Sequence, residues 1–123
     1  MQRDTRQRKA IRQALTEAGH PLSPKELLEA AREQVKGLGI ATVYRNLKAL
    51  HEDGWITTVE LPGEPPRYEL SGKGHHHHFH CRACDRVYEV EGCPGDIKAI
   101  TPQGFELEDH EFVLYGRCDL CAA

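Results

Sequence analysis

His75-His76-His77-His78-Phe79-His80-Cys81-Arg82-Ala83-Cys84 is answered later in the chain by Cys118-Asp119-Leu120-Cys121. Each CxxC pair has a two-residue spacer, which lets both sulfurs reach one ion at about 2.3 Å, and two such pairs fill the four positions of a tetrahedral zinc site. A closed set of thiolates leaves no open position, so this zinc is expected to cross-link the surrounding chain rather than to catalyse. The histidines are then left over. Glu69, Glu89, Glu91, Asp96 and His110 lie near them in sequence, and imidazole mixed with carboxylate suits zinc, iron(II), manganese or nickel.

In an extended strand side chains alternate, so His75 and His77 face one way while His76, His78 and His80 face the other. One short segment can therefore serve two metal sites besides the four cysteines. Cys93 stands outside both CxxC pairs and reads as a partly buried thiol, because free cysteine behaves as a small apolar residue.

Working outward downstream, Arg86-Val87-Tyr88-Glu89-Val90 and Glu111-Phe112-Val113-Leu114-Tyr115 alternate as strands, and Pro94 to Ile100 can hold a short helix between them. Residues 75–123 thus read as a small α/β module with its CxxC pairs at opposite ends. Upstream, Ser71-Gly72-Lys73-Gly74 has the composition of a short hinge.

Residues 1–70 are patterned differently. Ala10, Ile11, Ala14, Leu15 and Ala18 recur at helical spacing from Thr5 to Ala18, with Gly19 as a stop signal. Ser23-Pro24-Lys25-Glu26 is a capping box with proline at the first helical position, and it predicts a second helix from Pro24 to Gln34. A third helix begins near Ala41, places Val43, Leu47 and Leu50 on one face and stops at Asp53-Gly54. Trp55 to Val59, the turn cluster Pro62-Gly63-Glu64-Pro65-Pro66 and Arg67 to Leu70 then form a β-hairpin wing. Helices followed by a wing make a winged helix, whose third helix would enter the major groove of DNA with Thr42, Tyr44, Arg45 and Asn46 as candidate readers. The fold class is therefore α+β: a winged helix followed by a small α/β domain with a four-cysteine zinc site.

The net charge of −3 conceals an asymmetry. Residues 1–60 carry 10 Lys/Arg against 8 Asp/Glu, and residues 61–123 carry 6 against 11. Arg3, Arg6, Arg8, Lys9 and Arg12 face Asp4 alone at the N-terminus; such an arm either meets DNA phosphates or is an ordinary solvated helix face. No apolar run approaches a membrane span and no signal-peptide pattern is present, so a cytoplasmic protein without a membrane partner is expected.

The segment Gly39-Ile40-Ala41-Thr42-Val43-Tyr44-Arg45-Asn46-Leu47, together with Arg67-Tyr68-Glu69-Leu70, the His run before Cys81/Cys84, and Leu114-Tyr115-Gly116 before Cys118/Cys121, resembles the ferric uptake regulator family of bacterial metal-dependent repressors. The likeness covers nearly the whole chain. It implies a homodimer that binds a double-stranded DNA operator, with metal loading at a hinge closing the DNA-binding lobes. It places structural zinc on Cys81, Cys84, Cys118 and Cys121. It places a sensory metal, iron(II), zinc or manganese, on Glu69, His76, His78 and Glu89, with His20 lying slightly out of register with a further sensory histidine. A third site would use His75, His77 and His110 with Asp96 or Glu91. Zinc-specific relatives tend to place a cysteine shortly before the histidines, and residues 69–74 hold none, which points to iron(II). Peroxide-sensing relatives favour aspartate where Glu89 stands.

Two readings of other kinds use the same residues. A zinc hydrolase would set His76, His78 and Glu69 around an open metal position with Glu89 as base, but the sequence has no HExxH helix. A zinc-thiolate redox switch would depend on reactive Cys81 and Cys118. Neither accounts for the winged helix.

Overall fold

Among the described residues three helices, α1 (Gln2–Ala18), α2 (Pro24–Ala31) and α3 (Ile40–Glu52), are followed by the strands β1 (Ile56–Val59), β2 (Arg67–Leu70), β3 (His77–Cys81), β4 (Val87–Val90) and β5 (Val113–Gly116) and by a last short helix, α4 (Asp119–Ala122). This is a computed structural model; it describes residues 2–123, and the side chains of residues 2–4 also lie outside the described set, Arg3 of the basic arm among them. The chain divides into two compact units, Met1–Lys73 and Gly74–Ala123.

In the first unit α1, α2 and α3 close around Ile11, Leu27, Val43, Leu47 and Leu50, all essentially without exposure, with Leu38 and Ile56 sealing the base. These are the positions that recur at helical spacing, so each helix has one apolar stripe to bury and they bury it on one another. Local chemistry sets the ends. Gly19 (φ 68°) stops α1 and Gly54 (φ 80°) stops α3 in the left-handed conformation that glycine adopts without a Cβ clash. At α2 the Ser23 hydroxyl accepts from the Glu26 amide (3.1 Å) while the Glu26 carboxylate accepts from the Ser23 amide (3.0 Å), which completes the capping box.

The second helix ends at Ala31, short of the expected Gln34. Its last amides tighten: Glu33 donates to Ala30 and Gln34 to Ala31, and Arg32 Nε donates to the Leu38 carbonyl (2.9 Å), drawing the chain into the turn before α3. The wing is an antiparallel β1–β2 pair with Ile56 opposite Leu70 and Val59 opposite Arg67. Leu22, between α1 and α2, exchanges both backbone bonds with Tyr68 at 2.9 Å, so the wing is tied to the helices by a third short segment. Arg67 is buried and pairs with Glu26 (3.4 Å) and Glu64 (3.7 Å).

The second unit is a three-stranded sheet in the order β4–β3–β5. β3 pairs antiparallel with β4, His78 opposite Glu89, and parallel with β5, His78 opposite Val113. The helix expected between Pro94 and Ile100 is a single 3-10 turn, Ile97–Ile100; Pro94-Gly95 before it and Pro102 after it leave too few residues for a stable α-helix. Val87, Cys81, Cys118, His77 and His80 are its buried side chains, a set with little apolar area. Ile100, Phe105 and Leu120 remain 77%, 72% and 73% exposed.

Candidate metal centres

The direction of the strands decides where the ligands gather. β3 and β5 run parallel, so their C-terminal ends share one edge of the sheet and their N-terminal ends share the other. Cys81 closes β3 and Cys118 follows β5, which brings the two CxxC pairs together at the first edge. The starts of β3 and β5 bring His75 and His77 beside His110 at the second, where β4, running the opposite way, also delivers Cys93.

At the first edge the four sulfurs of Cys81, Cys84, Cys118 and Cys121 lie within 4.8 Å of one another, with Cys84 Sγ 3.9 Å from Cys118 Sγ. A zinc ion bound to four sulfurs at 2.3 Å requires edges of about 3.8 Å, so the residues present fit the ion. The turn that follows β3 is shaped for this. Asp85 amide donates to Cys81 carbonyl and Asp85 itself takes φ 67°, which folds Cys84 back toward Cys81. Amides of Cys84 (3.4 Å) and Cys118 (3.3 Å) donate to Cys81 Sγ. Those donors, Cys84 first, hold the Cys81 thiol at about 6 in the metal-free chain, while its hydrogen bond with Cys118 pushes Cys121 up to about 12. Hydrogen bonding to Cys81 Sγ favours the thiolate, the form that ligates. Cys118 begins the one-turn helix α4 that carries Cys121, and Phe79 packs so closely on Gly116 that a Cβ there would lie 3.1 Å from its ring. His80, buried, meets the Asp85 carboxylate at 2.6 Å and braces the same turn.

On one face of β3 the rings of His76 and His78 sit 4.8 Å apart, and Glu89 lies across the ladder from His78. His76 Nδ1 donates to the Gly74 carbonyl (2.7 Å), which fixes the orientation of its ring. In the first unit, Glu69 is buried on β2 opposite Thr57, and His20 Nδ1 donates to the Pro21 carbonyl (3.0 Å).

The second edge holds His75, His77, His110 and Cys93 with their donor atoms within 4.8 Å of one another. Asp96 is not in this group: its carboxylate accepts from the Lys98 amide at 3.1 Å and caps the 3-10 turn. Glu91 is exposed and is not in the group either. Cys93 is exposed, not partly buried, with its sulfur 3.3 Å from both His77 Nε2 and His110 Nε2. Burial, then the neighbouring His75 and His110, lower the His77 pKa and favour its neutral, ligating form. Cys93 is the residue the sequence reading left out. The available signal was a fifth cysteine beside three histidines that had no soft partner.

The third helix presents Tyr44, 54% exposed, and Arg45, whose guanidinium donates to Thr42 Oγ1 (3.1 Å). Asn46 departs from expectation. It is buried and its side-chain amide donates to the Thr42 carbonyl (2.9 Å), so it fills the inner face of α3 and cannot read bases from there. On α1, Arg8, Lys9 and Arg12 line an open groove with Trp55, and the Arg12 guanidinium lies 3.8 Å over the Trp55 ring. Arg8 also approaches Asp53 at 4.0 Å.

The model of the ferric uptake regulator family matches residues 2–115. The ferric uptake regulation protein of Campylobacter upsaliensis is 32% identical over 122 residues, covering 95% of this chain and 78% of that one. Among solved structures, the Helicobacter pylori ferric uptake regulator, described as having three functional metal binding sites, is 27% identical with a TM-score of 0.72, covering 95% of this chain and 80% of that one. A zinc-bound manganese uptake regulator superposes with a TM-score of 0.76 at 27% identity, covering 91% and 87%.

Proposed function

Because the chain belongs to the ferric uptake regulator family of metal-responsive regulators, we propose that it is a homodimeric repressor whose grip on a double-stranded DNA operator is set by iron(II). The observation that carries this reading is the pairing of His76 and His78 on one face of β3 with Glu89 opposite, a nitrogen and oxygen donor set without sulfur. Glu69 and His20 complete the sensory set expected from the sequence. Such donors hold iron(II) and manganese(II) as well as zinc. Bound metal supplies a divalent charge that draws these donors together. The four cysteines hold a zinc that stabilises the second unit.

Tyr44 and Arg45, with Thr42 behind them, read base edges, and Arg8, Lys9 and Arg12 neutralise phosphates. Dimer formation is supported by Ile100, Phe105 and Leu120, apolar side chains that a lone second unit leaves in water. Zinc as effector is the second reading, favoured by the histidine-rich donor set. Operator duplexes selected from random DNA in the presence of each metal separate the two. Titrating iron(II), zinc(II) and manganese(II) into protein that keeps its structural zinc should tighten binding at the lowest free concentration, relative to cellular supply, for iron(II). Response to zinc alone would replace iron with zinc in this reading.

A further inference from the structure

At the second edge of the sheet, where the family likeness implies a third site on His75, His77 and His110 with an acidic residue, the structure brings Cys93 to the three histidines and neither acid. His75 Nε2 lies 3.0 Å from His110 Nε2 and 3.2 Å from His77 Nε2, and Cys93 Sγ lies 3.3 Å from each of the latter two. Four donors converge on one point. Ligands at 2.0–2.1 Å for nitrogen and 2.3 Å for sulfur would stand about 3.3 to 3.6 Å apart around a tetrahedral ion, so the observed spacing needs only a small expansion. The carboxylate expected there, Asp96, lies outside this group and caps the 3-10 turn through the Lys98 amide.

We propose that His75, His77, His110 and Cys93 form a closed three-nitrogen, one-sulfur site for zinc(II), with the Cys93 thiolate in the place expected for a carboxylate. Exchanging an oxygen for a sulfur changes what the site selects. A carboxylate would admit iron(II) or manganese(II), whereas a thiolate beside three imidazoles favours zinc and cobalt(II). Binding releases the thiol proton and a neutral imidazole supplies each nitrogen. One local cost is visible. The Phe112 amide donates to His77 Nδ1 at 3.2 Å, and a metal on Nε2 moves the ring proton to Nδ1, so that hydrogen bond must open. It is long, and a single neutral hydrogen bond is worth roughly 1 kcal/mol. Metal at this edge would join the start of β3, the start of β5 and the loop after β4, a second clamp opposite the four cysteines.

Cobalt(II) titrated into the 123-residue chain with its four-cysteine zinc in place gives the test. Among the proposed exchangeable sites this one alone contains sulfur, so a sulfur-to-cobalt charge-transfer band reports on it. The wild type and Asp96→Asn should both show the band, and Cys93→Ser should lose it while retaining structural zinc. Zinc(II) should also abolish alkylation of Cys93 in the wild type, a readout that needs no variant. No sulfur band in the wild type, a band that persists in Cys93→Ser, loss of the band in Asp96→Asn, or Cys93 alkylated equally with and without zinc would each overturn the assignment. None of these readouts uses DNA, so the site stands or falls separately from the regulatory reading above.

Discussion

Cys84 Sγ and Cys118 Sγ lie 3.9 Å apart although 34 residues separate them in sequence. A parallel β3–β5 pair is what makes this possible, because it returns the chain to the edge it left. The second unit buries few apolar side chains, so a metal that joins its two ends supplies much of its stability.

Removing that cross-link should therefore unfold the second unit. Structural zinc in small domains contributes apparent folding free energies on the order of 10 kcal/mol. Cys118→Ser, or prolonged chelation of the wild type, should release zinc together with the strand signal of β3, β4 and β5. Zinc content measured alongside circular dichroism checks it; a chelated chain with an unchanged melting curve would refute it.

The first unit should behave as an ordinary packed core. Leu47→Ala removes a fully buried side chain between the helices and should cost about 2–5 kcal/mol. Gly54→Ala forces a Cβ into a backbone with φ 80° and should cost about 1–2 kcal/mol although nothing crowds the site. Urea unfolding monitored by helical circular dichroism should show lower midpoints with unchanged slopes for both. Equal stability of Gly54→Ala and wild type would mean that the left-handed turn is not adopted.

On α3 neighbouring residues should separate by role. Tyr44→Ala and Arg45→Ala should each weaken binding to the selected operator by about 1–3 kcal/mol and relax sequence preference, while leaving thermal stability unchanged. Asn46→Ala should do the reverse, losing about 0.5–1.5 kcal/mol of stability with its hydrogen bond to Thr42 and keeping base preference. Fluorescence anisotropy on operator and scrambled duplexes distinguishes them. An equal loss on both duplexes for Arg45→Ala would assign that residue to the phosphate backbone.

The helical half was legible because its signals are local. The capping box at Ser23, the stop at Gly54 and the apolar stripe of Val43, Leu47 and Leu50 each act within a few residues, and each recurs in the structure. The four-cysteine cluster was legible from spacing, since two matched pairs leave few other arrangements. Cys93 and Asp96 were not. Which of them joins the histidines depends on where a loop of prolines and glycines turns, and on a 3-10 turn that claims the Asp96 carboxylate as its cap. Asn46 was misjudged for a similar reason. A polar side chain on a helix reads as exposed until its own preceding turn offers a carbonyl that satisfies it inside.

The central claim is that metal at the sensory donors strengthens DNA binding, and a coupling of 1–3 kcal/mol corresponds to roughly 5–150-fold in affinity. The direct measurement is the dissociation constant for the selected operator, at fixed salt, with the four-cysteine zinc in place and the exchangeable metal added or removed. Addition of iron(II) should tighten binding by a factor in that range, and the double variant His76→Ala/His78→Ala should bind at the metal-free level throughout. A dissociation constant that is the same with and without exchangeable metal would contradict the account.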